Sequence, residues 1–142
     1  VCDMPGNLKD VLGVAAFAQC LVQALSSLID EGAYQHDCHP MMVRQNKWRA
    51  CRFGNKAELV NSYTYEVQPV ARVIESLIER LSPVAQDLEC VDYLEHTLAM
   101  ASGPTWAERQ AAILDESGDV SEVVRQLSSE SRISAPPAGG IT

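Results

Sequence analysis

Apolar residues dominate the chain from Leu8 to Asp30, with Leu12, Ala15, Ala16, Leu21, Leu25 and Leu28 among them. Their spacing predicts one long helix. Asn7 is placed to cap it, Asp10 puts a negative charge in its first turn, and Gly32 ends it. The apolar positions fall on more than one face, as in helices buried within a larger assembly. A loop follows over 32–39. Pro40 then suits the first position of a second helix, running to Phe53 with Gly54 as a left-handed cap. The short apolar run 57–61 fits a strand or a turn. Val70, Val73, Ile74, Ile78 and Leu81 form a stripe that predicts a helix over 67–81, and Pro83 is expected to restart or kink it. Further helices are expected at 92–102, after which Gly103-Pro104 breaks the chain, then at 105–116 and 120–127. Asp119 or Ser121 is expected to cap the last. From Ser128 the sequence turns polar and Pro/Gly-rich, which predicts a flexible tail over 129–142 behind a helical unit spanning 1–128. There is no internal repeat and no sustained heptad. The chain itself is expected to be mostly α.

Composition adds limits. The 142 residues are 46% hydrophobic but only 6% aromatic, so the core must be largely aliphatic. Eleven Lys+Arg against nineteen Asp+Glu give a net charge of −8, which counts against a broad phosphate-facing surface for nucleic acid. The longest apolar stretch, 11–29, is interrupted by Gln19, Gln23, Ser26 and Ser27. No membrane span is expected from it. Five cysteines at 2, 20, 38, 51 and 90, with irregular spacing and no CxxC, read as reduced thiols of a cytoplasmic protein. The chain opens on Val1-Cys2-Asp3-Met4-Pro5, with neither an initiator Met nor a signal-like run, so a piece of a longer protein is expected.

The charge is uneven. Residues 1–56 carry six basic and five acidic side chains, whereas 57–142 carry five and fourteen. Arg44, Lys47, Arg49, Arg52 and Lys56 fall within thirteen residues that contain no carboxylate. At 100° per residue, Arg44, Trp48 and Arg52 share one side of the second helix, with Gln45 and Arg49 beside them. Met42, Val43, Ala50 and Phe53 lie opposite and are expected to anchor it. Guanidinium forks bind phosphate and carboxylate bidentately. A solvated basic face is the plain alternative, although such a face does not require the Asn and Trp embedded in it. Other candidates are weaker. His36-Asp37-Cys38-His39 are too close in sequence to face one metal ion together and read as a polar loop. His96 reads as a partly buried core histidine, and Glu75, Glu79, Asp115 and Glu116 as solvated faces. No Gly-rich phosphate loop, HExxH or GxSxG occurs.

The segment Asn46-Lys47-Trp48-Arg49-Ala50-Cys51-Arg52-Phe53-Gly54 resembles the Glu-Asn-(Arg/Lys)-Trp-Arg-Ala-x-Arg-Tyr-Gly motif of the glutamate–cysteine ligase type 2, or carboxylate–amine ligase, family. Val1-Cys2-Asp3-Met4-Pro5 is similar to the family's Arg-(Val/Ile)-Cys-Asp-x-x-Pro element, which precedes a long Ala/Leu-rich helix. Ala107-Glu108-Arg109-Gln110, Gly118-Asp119-Val120 and Val123-Val124-Arg125-Gln126-Leu127 resemble its closing helices. Three landmarks thus stand in the family's order over residues 1–128.

The resemblance implies an α+β, glutamine-synthetase-like catalytic fold in the full protein. It also implies ATP-dependent joining of a small carboxylate to an amine through an acyl phosphate, with Mg as the divalent cation. On that reading Arg49 and Arg52 are the catalytic candidates, on phosphate or substrate carboxylate. Arg44, Lys47, Asn46 and Asp3 are the binding candidates, with Asn46 as a polar orienting group, and Trp48 packs. The Mg ligands are expected outside this chain, no metal site within it, and a homo-oligomer is expected. Two departures stand out. Gln45 replaces the family's Glu, and the family's earlier portion, with its Arg just before Val1, is absent. The chain alone is therefore expected to be inactive. The alternative is a stand-alone acidic helical module that binds an anionic partner through residues 44–56. A severed ligase piece should expose apolar surface along its first helix; a self-contained module should cover it.

Overall fold

The Asn7 side chain accepts from the Asp10 amide at 2.8 Å and opens helix α1, Leu8–Asp30. In this computed structural model, which describes residues 5–33, 39–61 and 64–131, five more helices follow. They are α2, Pro40–Phe53; α3, Val70–Asp87; α4, Val91–Ser102; α5, Trp106–Ser117; and α6, Val120–Glu130. A 3-10 turn at Gly54–Lys56 leads from α2 into a two-stranded antiparallel sheet, β1 (Glu58–Val60) and β2 (Val67–Pro69). The chain is mostly helical, as its sequence periodicity predicts.

Helices α1, α3 and α4 pack on one another. Cys20, Leu81, Ala85 and Leu94 form their buried centre, with Phe17, Leu21, Ile78 and Val91 packed around it. This core is aliphatic, with one phenyl ring at its edge.

Four expectations need correction. Residues 67–69 are strand rather than helix: Val67 pairs with Val60 and Gln68 with Leu59, and β-branched cross-strand neighbours favour that ladder. Pro69 then ends the ladder, and the Val70 amide donates to Ala57 O at 2.9 Å as α3 begins. Second, α3 runs through Pro83 to Asp87 without a restart. The proline removes one backbone donor, while Leu81 and Ala85 on either side of it are buried and hold the helix in place. Third, Gly54 has φ +54° but ψ −132°, which is not the left-handed α region. The chain turns directly into the 3-10 segment instead. Fourth, α1 is long and apolar enough by length and composition to cross a membrane, contrary to the reading of its interrupting polar residues. Its contacts with α3 and α4 account for one face as core.

The other face of α1 is open. Leu8, Val11, Val14, Val22, Leu25 and Ile29 are all exposed. This is the surface expected of a helix that belongs to a larger body.

The later termini follow capping chemistry. Thr105 and Glu108 form a reciprocal capping box at the start of α5, and Gly118 ends it in the left-handed conformation. Of the two candidate caps for α6, Asp119 serves, accepting from the Ser121 amide at 2.8 Å. The helix continues to Glu130, whose two carboxylate oxygens each accept from Arg109 Nη2 at 2.7 Å.

Candidate functional site

Helix α2 carries the basic cluster. It starts at Pro40, behind His39, whose Nδ1 accepts from the Met41 amide at 3.2 Å. No residue of α2 is buried, and of the apolar side expected to anchor it only Met42 is half-buried. Met41, Val43 and Phe53 are each more than half exposed, as is Trp48 at 60%. Trp48 meets Phe53 edge-on, with ring centroids 5.9 Å apart.

The helix docks through polar groups instead. Asn46 Nδ2 donates to Val60 O at 2.8 Å, and the Val60 amide donates back to Asn46 Oδ1 at 2.8 Å. The side-chain amide thus acts as one extra strand residue beside β1. Three residues on, one helical turn further along the same face, Arg49 Nη1 donates to Glu58 O at 3.0 Å. Met42, Asn46 and Arg49, spaced at i, i+4 and i+7, are the half-buried positions of α2 up to that point.

Arg44, Lys47 and Arg52 lie outside this docking face and are exposed. None of the three has a carboxylate within ion-pair distance among the described residues. Arg52 also lies in the last turn of α2, where the macrodipole favours a cation. The fifth member of the cluster differs: Lys56 Nζ pairs with Glu108 Oε1 at 2.6 Å. That bond, with two more from Thr105, holds the Glu108 carboxyl down to about 2. Glu108 in turn raises the Lys56 ammonium above its usual range. The structure thus leaves three exposed cations on α2, fixes Arg49 and Asn46 against the hairpin, and pairs Lys56 with Glu108. Asp3 lies outside the described residues, as do His36, Asp37 and Cys38.

A second polar cluster has no local signal in the sequence. Asp10, 8% exposed, is more than a first-turn charge. Its Oδ1 lies 2.7 Å from His96 Nε2, and its Oδ2 accepts from Trp106 Nε1 at 2.8 Å. Trp106 lies between Gly6, where an ideal Cβ would come within 2.5 Å of the ring, and the Arg109 guanidinium, 4.3 Å from the ring centroid. These contacts hold Gly6 and the first turn of α1 against α4 and α5. Asn55 adds a further tie, donating to Met100 O at 2.7 Å and Gly103 O at 2.9 Å. An open groove between α3 and α4, with Glu75, Glu79 and Glu95 at its edge, contains none of the predicted site residues. Among the described residues no group of three or more His, Cys, Asp or Glu side chains is placed to share a metal ion.

The model of a family described as "Glutamate-cysteine ligase family 2(GCS2)" matches residues 1–126. A protein named "Putative glutamate--cysteine ligase 2" from Gloeobacter violaceus is 33% identical over 127 residues, covering 89% of this chain and 34% of its own length. One named "Putative glutamate--cysteine ligase 2-1" from Frankia casuarinae is 35% identical over 141 residues, covering 99% of this chain and 37% of its own. One named "Putative glutamate--cysteine ligase 2-2" from Paenarthrobacter aurescens is 32% identical over 133 residues, covering 93% and 35%. The chain thus spans about a third of the length of the curated relatives it matches.

Proposed function

We infer function from the premise that the chain belongs to glutamate–cysteine ligase family 2. By name this is a family of ligases. We propose that the chain is the C-terminal helical portion of an ATP-dependent carboxylate–amine ligase in a full protein of α+β, glutamine-synthetase-like fold. Glutamate and cysteine are the first substrate pair to test. The observation that carries this reading is the exposed row of Arg44, Lys47 and Arg52 on a helix whose other side is fixed by Asn46 and Arg49.

The row suits polyanion binding. Three exposed cations with no carboxylate partner among the described residues can meet the oxygens of a phosphate chain or of a substrate carboxylate. Arg52 is the residue proposed to hold the transferring phosphoryl group. Arg49 has one nitrogen on Glu58 O and can direct the rest of its guanidinium to the same anion. Asn46 positions α2 from the hairpin. ATP supplies the phosphoryl group that activates the carboxylate as an acyl phosphate. Mg is proposed as the divalent cation, and on the family resemblance its ligands are assigned to the remainder of the protein. A cytoplasmic location and homo-oligomeric assembly complete the proposal.

The exposed apolar face of α1 favours this reading over the stand-alone module, which would have to cover it. The test is ATP-dependent phosphate release with glutamate and cysteine, in full-length protein and in the 142-residue chain. Release by the full-length protein alone supports the proposal. Absence of release with every amino-acid pair tried, together with simple anion binding by the isolated chain, favours the module.

A further inference from the structure

We propose that Cys20 and Cys90 form a reversible oxidation site, closed to an intramolecular disulfide by a small-molecule disulfide oxidant. Their Sγ atoms lie 3.5 Å apart, although the residues are 70 positions apart in sequence. A disulfide needs about 2.05 Å, so the sulfurs must close by about 1.5 Å, within reach of side-chain rotation.

Both residues sit on a rigid frame. Cys20 lies inside α1 and is fully buried in the core with Leu81, Ala85 and Leu94. Cys90 caps α4; its amide donates to Ala85 O at 2.9 Å and its carbonyl accepts from the Leu94 amide at 3.0 Å. The hydrogen-bonded turn fixes where Cys90 points, and α1 fixes Cys20. The two thiols are therefore held as neighbours rather than meeting by chance, which raises their effective concentration.

Access separates their roles. Cys90 is partly exposed, whereas Cys20 is sealed. Burial and the adjacent Cys90 push the Cys20 thiol up to about 11, which leaves it protonated and inert until a partner sulfur is activated. The Cys90 thiolate attacks the oxidant R–S–S–R. Its S–S bond breaks, one RS⁻ leaves and takes a proton, and Cys90 carries the mixed disulfide. Cys20 then loses its proton and attacks the Cys90 sulfur, expelling the second thiol. Two protein thiols are oxidised by two electrons, and the oxidant is reduced to two R–SH. The bond ties α1 to the start of α4. Cys51, exposed on α2 and with no sulfur partner among the described residues, can only stop at the mixed disulfide and is an internal control.

The test uses purified protein carrying Cys2→Ser and Cys38→Ser, treated with 2-hydroxyethyl disulfide, alkylated and digested without reductant. The expected product is a Cys20–Cys90 linked peptide, two hydrogens lighter than the sum of its free thiols and lost on adding dithiothreitol. A Cys20→Ser variant should trap the adduct on Cys90, and a Cys90→Ser variant should leave Cys20 unmodified. Recovery of Cys20 and Cys90 as alkylated thiols, or of Cys90 as a stable adduct with Cys20 intact, overturns the proposal.

Discussion

The indole Nε1 of Trp106 donates to Asp10 Oδ2 at 2.8 Å and joins the first turn of α5 to the first turn of α1 across 96 residues of sequence. His96 meets the other oxygen at 2.7 Å, so both sides of this nearly buried carboxylate are occupied. Asn7 Nδ2 also donates to Oδ2, at 3.3 Å, so truncation should leave three polar partners without this mate. Asp10→Ala is expected to destabilise the protein by about 2–4 kcal/mol, and Trp106→Phe by about 1–2 kcal/mol. Urea unfolding of the two variants and of the double variant checks this. The double should cost clearly less than the sum, because the two residues share one bond.

Gly6 tests the same corner from the other side. A methyl group there would meet the Trp106 ring at 2.5 Å. Gly6→Ala should displace the indole, weaken its bond to Asp10 and cost about 1–3 kcal/mol. The Trp106 indole N–H resonance should shift in the NMR spectrum. An unmoved resonance with unchanged stability would mean that the ring is not packed on Gly6.

The hairpin is held to α2 by Asn46. Asn46→Ala removes both bonds to Val60 and should cost about 1–3 kcal/mol. Amide exchange at Val60 should quicken, while exchange at Leu94, in the α1–α3–α4 core, stays slow.

Acid should loosen the join between Lys56 and Glu108. The Glu108 carboxyl is held down to about 2 by Lys56 and Thr105, against its usual 4.5. A depressed carboxyl stabilises the fold above its unfolded value and loses that contribution as pH falls through the folded one. Thermal melts of wild type and Glu108→Gln should therefore differ most above pH 4.5 and converge towards about pH 2. The pair is exposed, so the difference should be small and should shrink further in high salt.

The helices were legible from sequence because periodicity and caps are local. Asn7, Pro40 and Thr105 each mark a helix start within a few residues of themselves. Val67–Pro69 misled, because the same β-branched residues fit a helix stripe or a ladder, and only the pairing with Glu58–Val60 decides. In α2 the helical wheel identifies the exposed cations Arg44 and Arg52 and one half-buried anchor, Met42, but not the docking by Asn46 and Arg49. Helical angle tells which residues share a side, not whether that side docks through methyl groups or through an amide meeting a strand. Asp10, His96 and Trp106 were unreadable as a group, since nothing in 8–30 signals a partner at position 96 or 106. Cys20 and Cys90 were legible only as reduced thiols, and their proximity follows from the packing of α1 on α4.

The central claim is that the outward face of α2 holds an anion during ATP-dependent ligation. The most direct measurement is phosphate release by full-length protein with glutamate, cysteine and ATP, comparing wild type with Arg52→Ala. The account predicts a loss of roughly 100-fold or more in turnover, as expected for removing a charge that stabilises the transferring phosphoryl group, with an unchanged melting temperature. An Arg52→Ala protein with wild-type turnover would contradict it.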